Sequence, residues 1–152
     1  MKKIAIAFDH NGKNLALLLQ KHLIAKGVEV FMGGCSSGDD YADRAKPALL
    51  CLKHKKCDAC ILICGTGIGM SMVANRFDGA YGVLAQTLAD AYFGRRHENS
   101  NVLILPAGYS DGVMTIKLSN KKATDIVDTF LSTEFEGGRH IQRIEKIDKI
   151  NK

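Results

Sequence analysis

The sequence predicts an α/β fold in which a mostly parallel sheet carries helices on both faces. Short apolar runs alternate along the chain with longer segments whose apolar residues recur at helical spacing. The strand-like runs are apolar on both faces, as strands buried between two helical layers are. They also end abruptly in glycine or polar residues, and ligands in this class bind beyond the carboxyl ends of the strands.

Lys3–Phe8 (KIAIAF) reads as a buried strand that ends in Asp9-His10-Asn11 and Gly12. Leu15, Leu18, Leu19 and Leu23 then share one helical face until Lys26-Gly27, a basic last turn with a glycine stop. Val28–Met32 is a second strand and residues 33–40, rich in glycine and serine, a loop. Ala42–His54 reads as helix, with Pro47 its weak point. Ala59–Cys64 (ACILIC) is a continuous apolar strand that breaks into Gly65-Thr66-Gly67-Ile68-Gly69 and a helix-compatible stretch through Ala74. Ala80–Ala85 and Asn101–Leu105 are read as strands, Leu88–Arg95 and Val113–Leu131 as helices, and His97 falls in the loop before the fifth strand. A last helix, Ile141–Ile150 and with its basic start about 139–152, carries Ile144, Ile147 and Ile150 on a stripe suited to a partner subunit.

At 152 residues, 46% hydrophobic, with two prolines and no linker, repeat or low-complexity run, the chain is expected to form one domain. Five uncharged residues between Lys3 and Asp9 are too few for a signal-peptide core, and no stretch approaches a membrane span. Five cysteines in apolar or mixed segments suit a reducing compartment, so a cytoplasmic protein without disulfides is expected. The net charge of +5 is dispersed and lacks interleaved aromatics, which argues against nucleic acid and is satisfied by a small anionic substrate.

Cys64 ends a buried strand with a glycine-rich turn and a helix N-terminus behind it. Backbone N–H groups can converge there on an anion: a phosphate, a thiolate or an oxyanion forming on a substrate. Cys64 is thereby usable as a base. The Gly-x-Gly-x-Gly spacing is neither the dinucleotide fingerprint nor a Walker loop. Asp9, His10 and His97 are expected to converge on the same crevice. Arg139 and Arg143 lie one helical turn apart, so both can reach one anion. Cys57-x-x-Cys60 has no second pair or histidine at finger spacing, and no metal site is expected.

These residues resemble the type B ribose-5-phosphate isomerases and the related galactose-6-phosphate isomerase subunits. Four blocks carry the resemblance: Lys3-Ile4-Ala5 leading to Asp9-His10; Ile63 to Ser71 with Ala74-Asn75; Arg96-His97 with Asn101-Val102-Leu103; and Glu136-Gly137-Gly138-Arg139-His140 with Arg143. The resemblance implies a three-layer α/β/α sandwich on a five-stranded parallel, Rossmann-like sheet with an extra C-terminal helix. It further implies a homodimer or homotetramer with active sites between subunits, and no cofactor or metal. Carried over by position, Cys64 moves a proton between C1 and C2 of a sugar phosphate. Thr66 and the amides of Gly65, Gly67, Ile68 and Gly69 stabilise the enediolate, and His97 opens the sugar ring. His10, Arg139 and Arg143 hold the phosphate with His140 nearby, while Asp9 and Asn99 complete the sugar-binding set. Ribose 5-phosphate and ribulose 5-phosphate are the expected pair; a six-carbon allose or galactose 6-phosphate, or a non-catalytic sugar-phosphate-binding protein, are the alternatives.

The chain departs from the family pattern at Glu98, where asparagine is usual, at Tyr81, where arginine is usual, and at Ala42, where proline is frequent. Pro106-Ala107-Gly108 replaces a glycine turn with its nearby arginine.

Overall fold

Strand β1, Lys3–Phe8, pairs in parallel with β2, Glu29–Met32, on one side and with β3, Ala59–Cys64, on the other. These contacts, like all those below, come from a computed structural model that describes residues 2–33 and 40–150. Strand β4, Gly82–Leu84, pairs with β5, Val102–Pro106, which pairs with β3, giving a five-stranded parallel sheet in the order β2-β1-β3-β5-β4. The helices are α1 (Lys13–Ala25), α2 (Tyr41–Lys53), α3 (Ile68–Arg76), α4 (Leu88–Glu98), α5 (Asn120–Ser132) and α6 (Arg139–Asp148). Residues 34–39, including Cys35 and most of the expected glycine-serine loop, lie outside the described residues.

Side chains alternate across a strand, so the apolar runs feed two cores. Ile4, Ile6, Phe8, Ile61, Ile63, Leu103 and Leu105 meet Leu15, Leu19 and Leu23 of α1 and Ile126, Val127 and Phe130 of α5. On the other face Leu62 and Ile104, with the small Ala5 and Ala7, meet Ala45 and Leu49 of α2 and Met70 and Ala74 of α3. Burying each Leu or Ile side chain contributes about 1.5–3 kcal/mol. Helices on both faces make the expected three-layer sandwich. Among the described residues no helix is long and apolar enough to cross a membrane.

This order positions the site. The chain passes from β1 to β2 on one side, and β3 returns to the other side of β1. The connections leaving β1 and β3 therefore diverge, opening a crevice at the carboxyl ends of those two strands.

Two expectations need correction. The helix expected over Val113–Leu131 begins only at Asn120, capped by the Ser119 hydroxyl, which accepts from Lys122 N at 3.2 Å. Before it stands a β-hairpin of β6 (Tyr109–Ser110) and β7 (Thr115–Ile116). Its turn is built on Asp111-Gly112: the Asp111 carboxylate accepts from Val113 N and Met114 N, both at 2.9 Å, and Gly112 takes φ +90°. The second correction is α4, which runs to Glu98 and ends on Asn99 in the left-handed conformation at φ 50°. Arg95, Arg96 and His97 form its basic last turn, favourable at a helix C-terminus, so His97 is helical and not in a loop.

Candidate active site

At the carboxyl end of β3, Cys64 is 4% exposed, and its Sγ accepts a hydrogen bond from the Gly67 amide at 3.2 Å. That contact depends on Gly67, whose φ is +77° and whose added Cβ would stand 2.4 Å from Leu84 Cδ1. Thr66 Oγ1 accepts from Ile68 N at 3.2 Å, in the first turn of α3. From β1, Asp9 turns its carboxylate back onto the chain, accepting from Asn11 N at 2.9 Å and Gly12 N at 3.1 Å. Gly12 lets this turn lie against β3, because a Cβ there would meet Ile63 O at 2.8 Å. His10 is exposed beside it.

A cleft of about 160 Å³ joins these groups. Asp9, Cys64, Gly65, Thr66 and Gly69 line it, as the sequence led us to expect, together with Asn11, Tyr41 and Tyr109, which sequence reasoning missed. Asn11 follows the Asp9-His10 pair directly. Tyr41 opens α2 after its cap Asp40, and Tyr109 opens a hairpin whose second strand falls in the segment read as helix.

The remaining predicted groups gather elsewhere. In the last turn of α4, His97 stacks on His140 of α6, with ring centroids 4.4 Å apart and planes 10° apart. His140 is 2% exposed, and its Nδ1 accepts from an Arg143 Nη1 at 3.4 Å. Its Nε2 faces Glu136 Oε1 at 3.7 Å, beyond hydrogen-bond range. Glu136 is engaged by Arg96, whose Nε donates to Oε2 at 2.8 Å. Burial lowers the His140 pKa, the neighbouring His97 adds to that, Glu136 opposes it, and Arg139 and Arg143 lower it further.

His97, Glu136 and His140 bring their donor atoms within 4.8 Å of one another, the one such group among the described residues. Arg143 donating to Nδ1 leaves the proton on Nε2, and Arg96, Arg139 and Arg143 surround the group with positive charge. That environment favours an anion over a metal cation.

The two clusters occupy opposite ends of the sheet. A helix that precedes a parallel strand delivers its C-terminus to the strand's amino end, and Cys60 N, at the start of β3, donates to Asn101 O just after α4. Cys64 is four residues further along β3, about 13 Å of strand away. The expectation that His97 opens onto the crevice with His10 is thus corrected: within one chain His97, Asn99, Arg139, His140 and Arg143 sit at the amino end, while Asp9, His10, Cys64, Thr66 and the glycine loop sit at the carboxyl end.

Two of the four departures from the family pattern, Tyr81 and Glu98, also fall at the amino end, whereas Ala42 and Pro106-Ala107-Gly108 fall at the carboxyl end. Tyr81 donates its hydroxyl to Asp148 Oδ1 at 2.8 Å, tying the end of α6 to the strand edge, and burial together with Asp148 pushes its pKa to about 12. Glu98 is exposed at the end of α4. Cys57 and Cys60, with sulfurs 4.0 Å apart, lie at the start of β3. A hydrogen bond from the Cys60 thiol, assisted by one from Cys51, brings Cys57 down to about 7 against its burial.

The family described as Ribose/Galactose Isomerase matches residues 4–147 of this chain. Ribose-5-phosphate isomerase B of Escherichia coli is 38% identical, the match covering 99% of this chain and 97% of that protein. Among solved structures, ribose 5-phosphate isomerase from Thermotoga maritima superposes with a TM-score of 0.87 at 41% identity, over 98% of this chain and 99% of that one. Ribose-5-phosphate isomerase B from Mycoplasma genitalium, solved with bound ribulose-5-phosphate, gives 0.87 at 36% identity, over 98% and 95%. With this coverage and identity, carried on the same sheet, the chain belongs to the ribose/galactose isomerase family.

Proposed function

We propose that the protein interconverts ribose 5-phosphate and ribulose 5-phosphate, with Cys64 as the base. The observation that carries this reading is the amide of Gly67 directed at the Cys64 sulfur in a cleft shared with Asp9 and Thr66. An N–H donor stabilises a thiolate there, and the neighbouring polar groups suit the hydroxyls of an open-chain sugar. The kinship with ribose-5-phosphate isomerases supports the five-carbon substrate.

In the forward direction the Cys64 thiolate takes the proton from C2 of the open aldose. The C–H electron pair forms the C1–C2 double bond, and the carbonyl oxygen takes the negative charge. Thr66 and the amides of Gly65, Gly67, Ile68 and Gly69 stabilise that enediolate. The O2 hydroxyl proton passes to O1, the O2 electron pair forms the ketose carbonyl, and the electron pair of the C1–C2 double bond takes the proton back from the Cys64 thiol at C1. Protons move but no net electrons leave the sugar, so the chemistry calls for no redox cofactor.

His97 opens the sugar ring, and Arg139 and Arg143 hold the phosphate with His10, while His140 fixes the His97 ring and Asn99 contacts the sugar. Because these groups divide between the two ends of the sheet, the site is completed by a second copy of the chain, in a homodimer or homotetramer. The exposed Ile141 and Ile147 of α6 suit that contact. Free thiols at Cys51, Cys57, Cys60 and Cys64 fit a cytoplasmic setting.

The test is turnover of ribose 5-phosphate by wild type and Cys64→Ala. Loss of about 10²–10⁴ in kcat with ligand binding retained supports the base assignment. Equal turnover by the variant overturns it.

A further inference from the structure

Tyr109 lines the Cys64 cleft, and its position is fixed by the backbone. Beyond the paired strands, Ala107 N donates to Cys64 O at 2.9 Å and Gly108 N to Gly65 O at 3.0 Å, so β5 continues to track the chain as it leaves β3. The next residue is Tyr109, and its Cβ would lie 3.3 Å from a Cβ added to Gly65. The hairpin locks it there: Tyr109 pairs with Ile116 and Ser110 with Thr115, whose hydroxyls bond at 2.8 Å.

Across the cleft stands Tyr41, so close to the loop that a Cβ on Gly69 would lie 2.7 Å from its ring. The glycines of the Cys64 loop thus leave room for two aromatic walls. Tyr41 is 42% exposed and Tyr109 51% exposed, leaving ring surface uncovered beside the sulfur. Aromatic faces pack well against the C–H faces of a sugar.

We propose that Tyr109 is a specificity-determining residue of this cleft, the wall that limits the sugar phosphate to five carbons. The inference rests on the isomerase reading above. The substrate is pinned at two points, its reacting carbons at Cys64 and its phosphate at the basic groups. One further CHOH between those points has to bulge sideways. The floor is backbone and the Tyr41 wall is wedged against Gly69, so the bulge meets Tyr109. Truncating that ring opens the space.

The experiment compares wild type, Tyr109→Ala and Tyr109→Phe with ribose 5-phosphate and allose 6-phosphate, by steady-state turnover and by calorimetric binding, after circular dichroism has established that each is folded. A change in pocket fit of about one carbon unit is worth roughly 10–200-fold in discrimination. Tyr109→Ala is expected to raise the six-carbon to five-carbon ratio of kcat/KM by about tenfold or more, chiefly through a lower KM for the hexose phosphate, while Tyr109→Phe keeps the wild-type ratio. A ratio unchanged or lowered in Tyr109→Ala overturns the proposal, as does an equal rise in Tyr109→Phe, which would place the effect in the hydroxyl. Should wild type turn over neither sugar, the isomerase reading fails separately. The ratio of dissociation constants for the two sugars then decides: a shift toward the hexose in Tyr109→Ala upholds the wall, and no shift removes it.

Discussion

The imidazole of His140 lies parallel to that of His97, 4.4 Å between centroids, and is shut away from solvent while the His97 ring is partly open. Two such rings cannot both carry charge without repulsion. Arg143 donating to His140 Nδ1 assigns the neutral role to His140.

That assignment gives a pH dependence of stability. The folded-state pKa of His140 lies below its ordinary value, so as pH falls through about 6.5 the unfolded chain takes up a proton that the folded chain resists. The contribution is fully present above that value and is lost progressively below it. The melting temperature is expected to fall between pH 7.5 and 5.5, and His140→Asn is expected to flatten that slope. An unchanged slope in the variant contradicts a neutral, buried His140.

The Tyr81 hydroxyl bond to Asp148 anchors the end of α6. Tyr81→Phe removes it and should cost about 1 kcal/mol in urea unfolding. The pKa raised to about 12 has its own signature: the contribution is present below pH 10 and is lost as pH rises towards 12. The tyrosinate absorbance of wild type should show one late-titrating tyrosine that Tyr81→Phe lacks. Four tyrosines titrating together near 10 would refute the tether.

Gly67 serves both conformation and chemistry. Gly67→Ala puts a Cβ into a left-handed turn, at roughly 1–2 kcal/mol, and against Leu84 Cδ1. The turn must shift, moving the amide that bonds to the Cys64 sulfur. Turnover is expected to fall at least about tenfold in a variant that remains folded at 25 °C, a loss of one oriented donor. Full activity with the same destabilisation would mean that the amide does not matter to the thiolate.

The buried strands β1, β3 and β5 were legible in the sequence because both faces are apolar, and nothing competes with that signal in KIAIAF or ACILIC. The Cys64 loop was legible for the same reason: a buried strand breaking into three spaced glycines leaves few alternatives. The hairpin at 109–116 was missed because Val113 and Ile116 stand three residues apart and Met114 and Leu118 four, as on a helix, although Asp111-Gly112 is a hairpin signal. His97 was misplaced because periodicity sees the apolar face of α4 and not the basic turn that extends it to Glu98. Sequence order also hid the division of the site. Residues that follow strands reach the carboxyl end and residues that precede them reach the amino end, so Cys64 and His97 part company.

Complementation between two inactive variants tests the two-copy isomerase site most directly. Cys64→Ala and His97→Asn are each purified, checked for fold and assembly, and assayed on ribose 5-phosphate. They are then unfolded together, refolded and assayed again. Each alone should be nearly inactive, and the mixture should recover about a quarter of wild-type activity. Random pairing makes half of the dimers mixed, and each mixed dimer holds one intact site. A mixture that stays inactive while mixed assemblies form, or a His97→Asn variant with full turnover, would contradict a site in which Cys64 of one copy works with His97 of another.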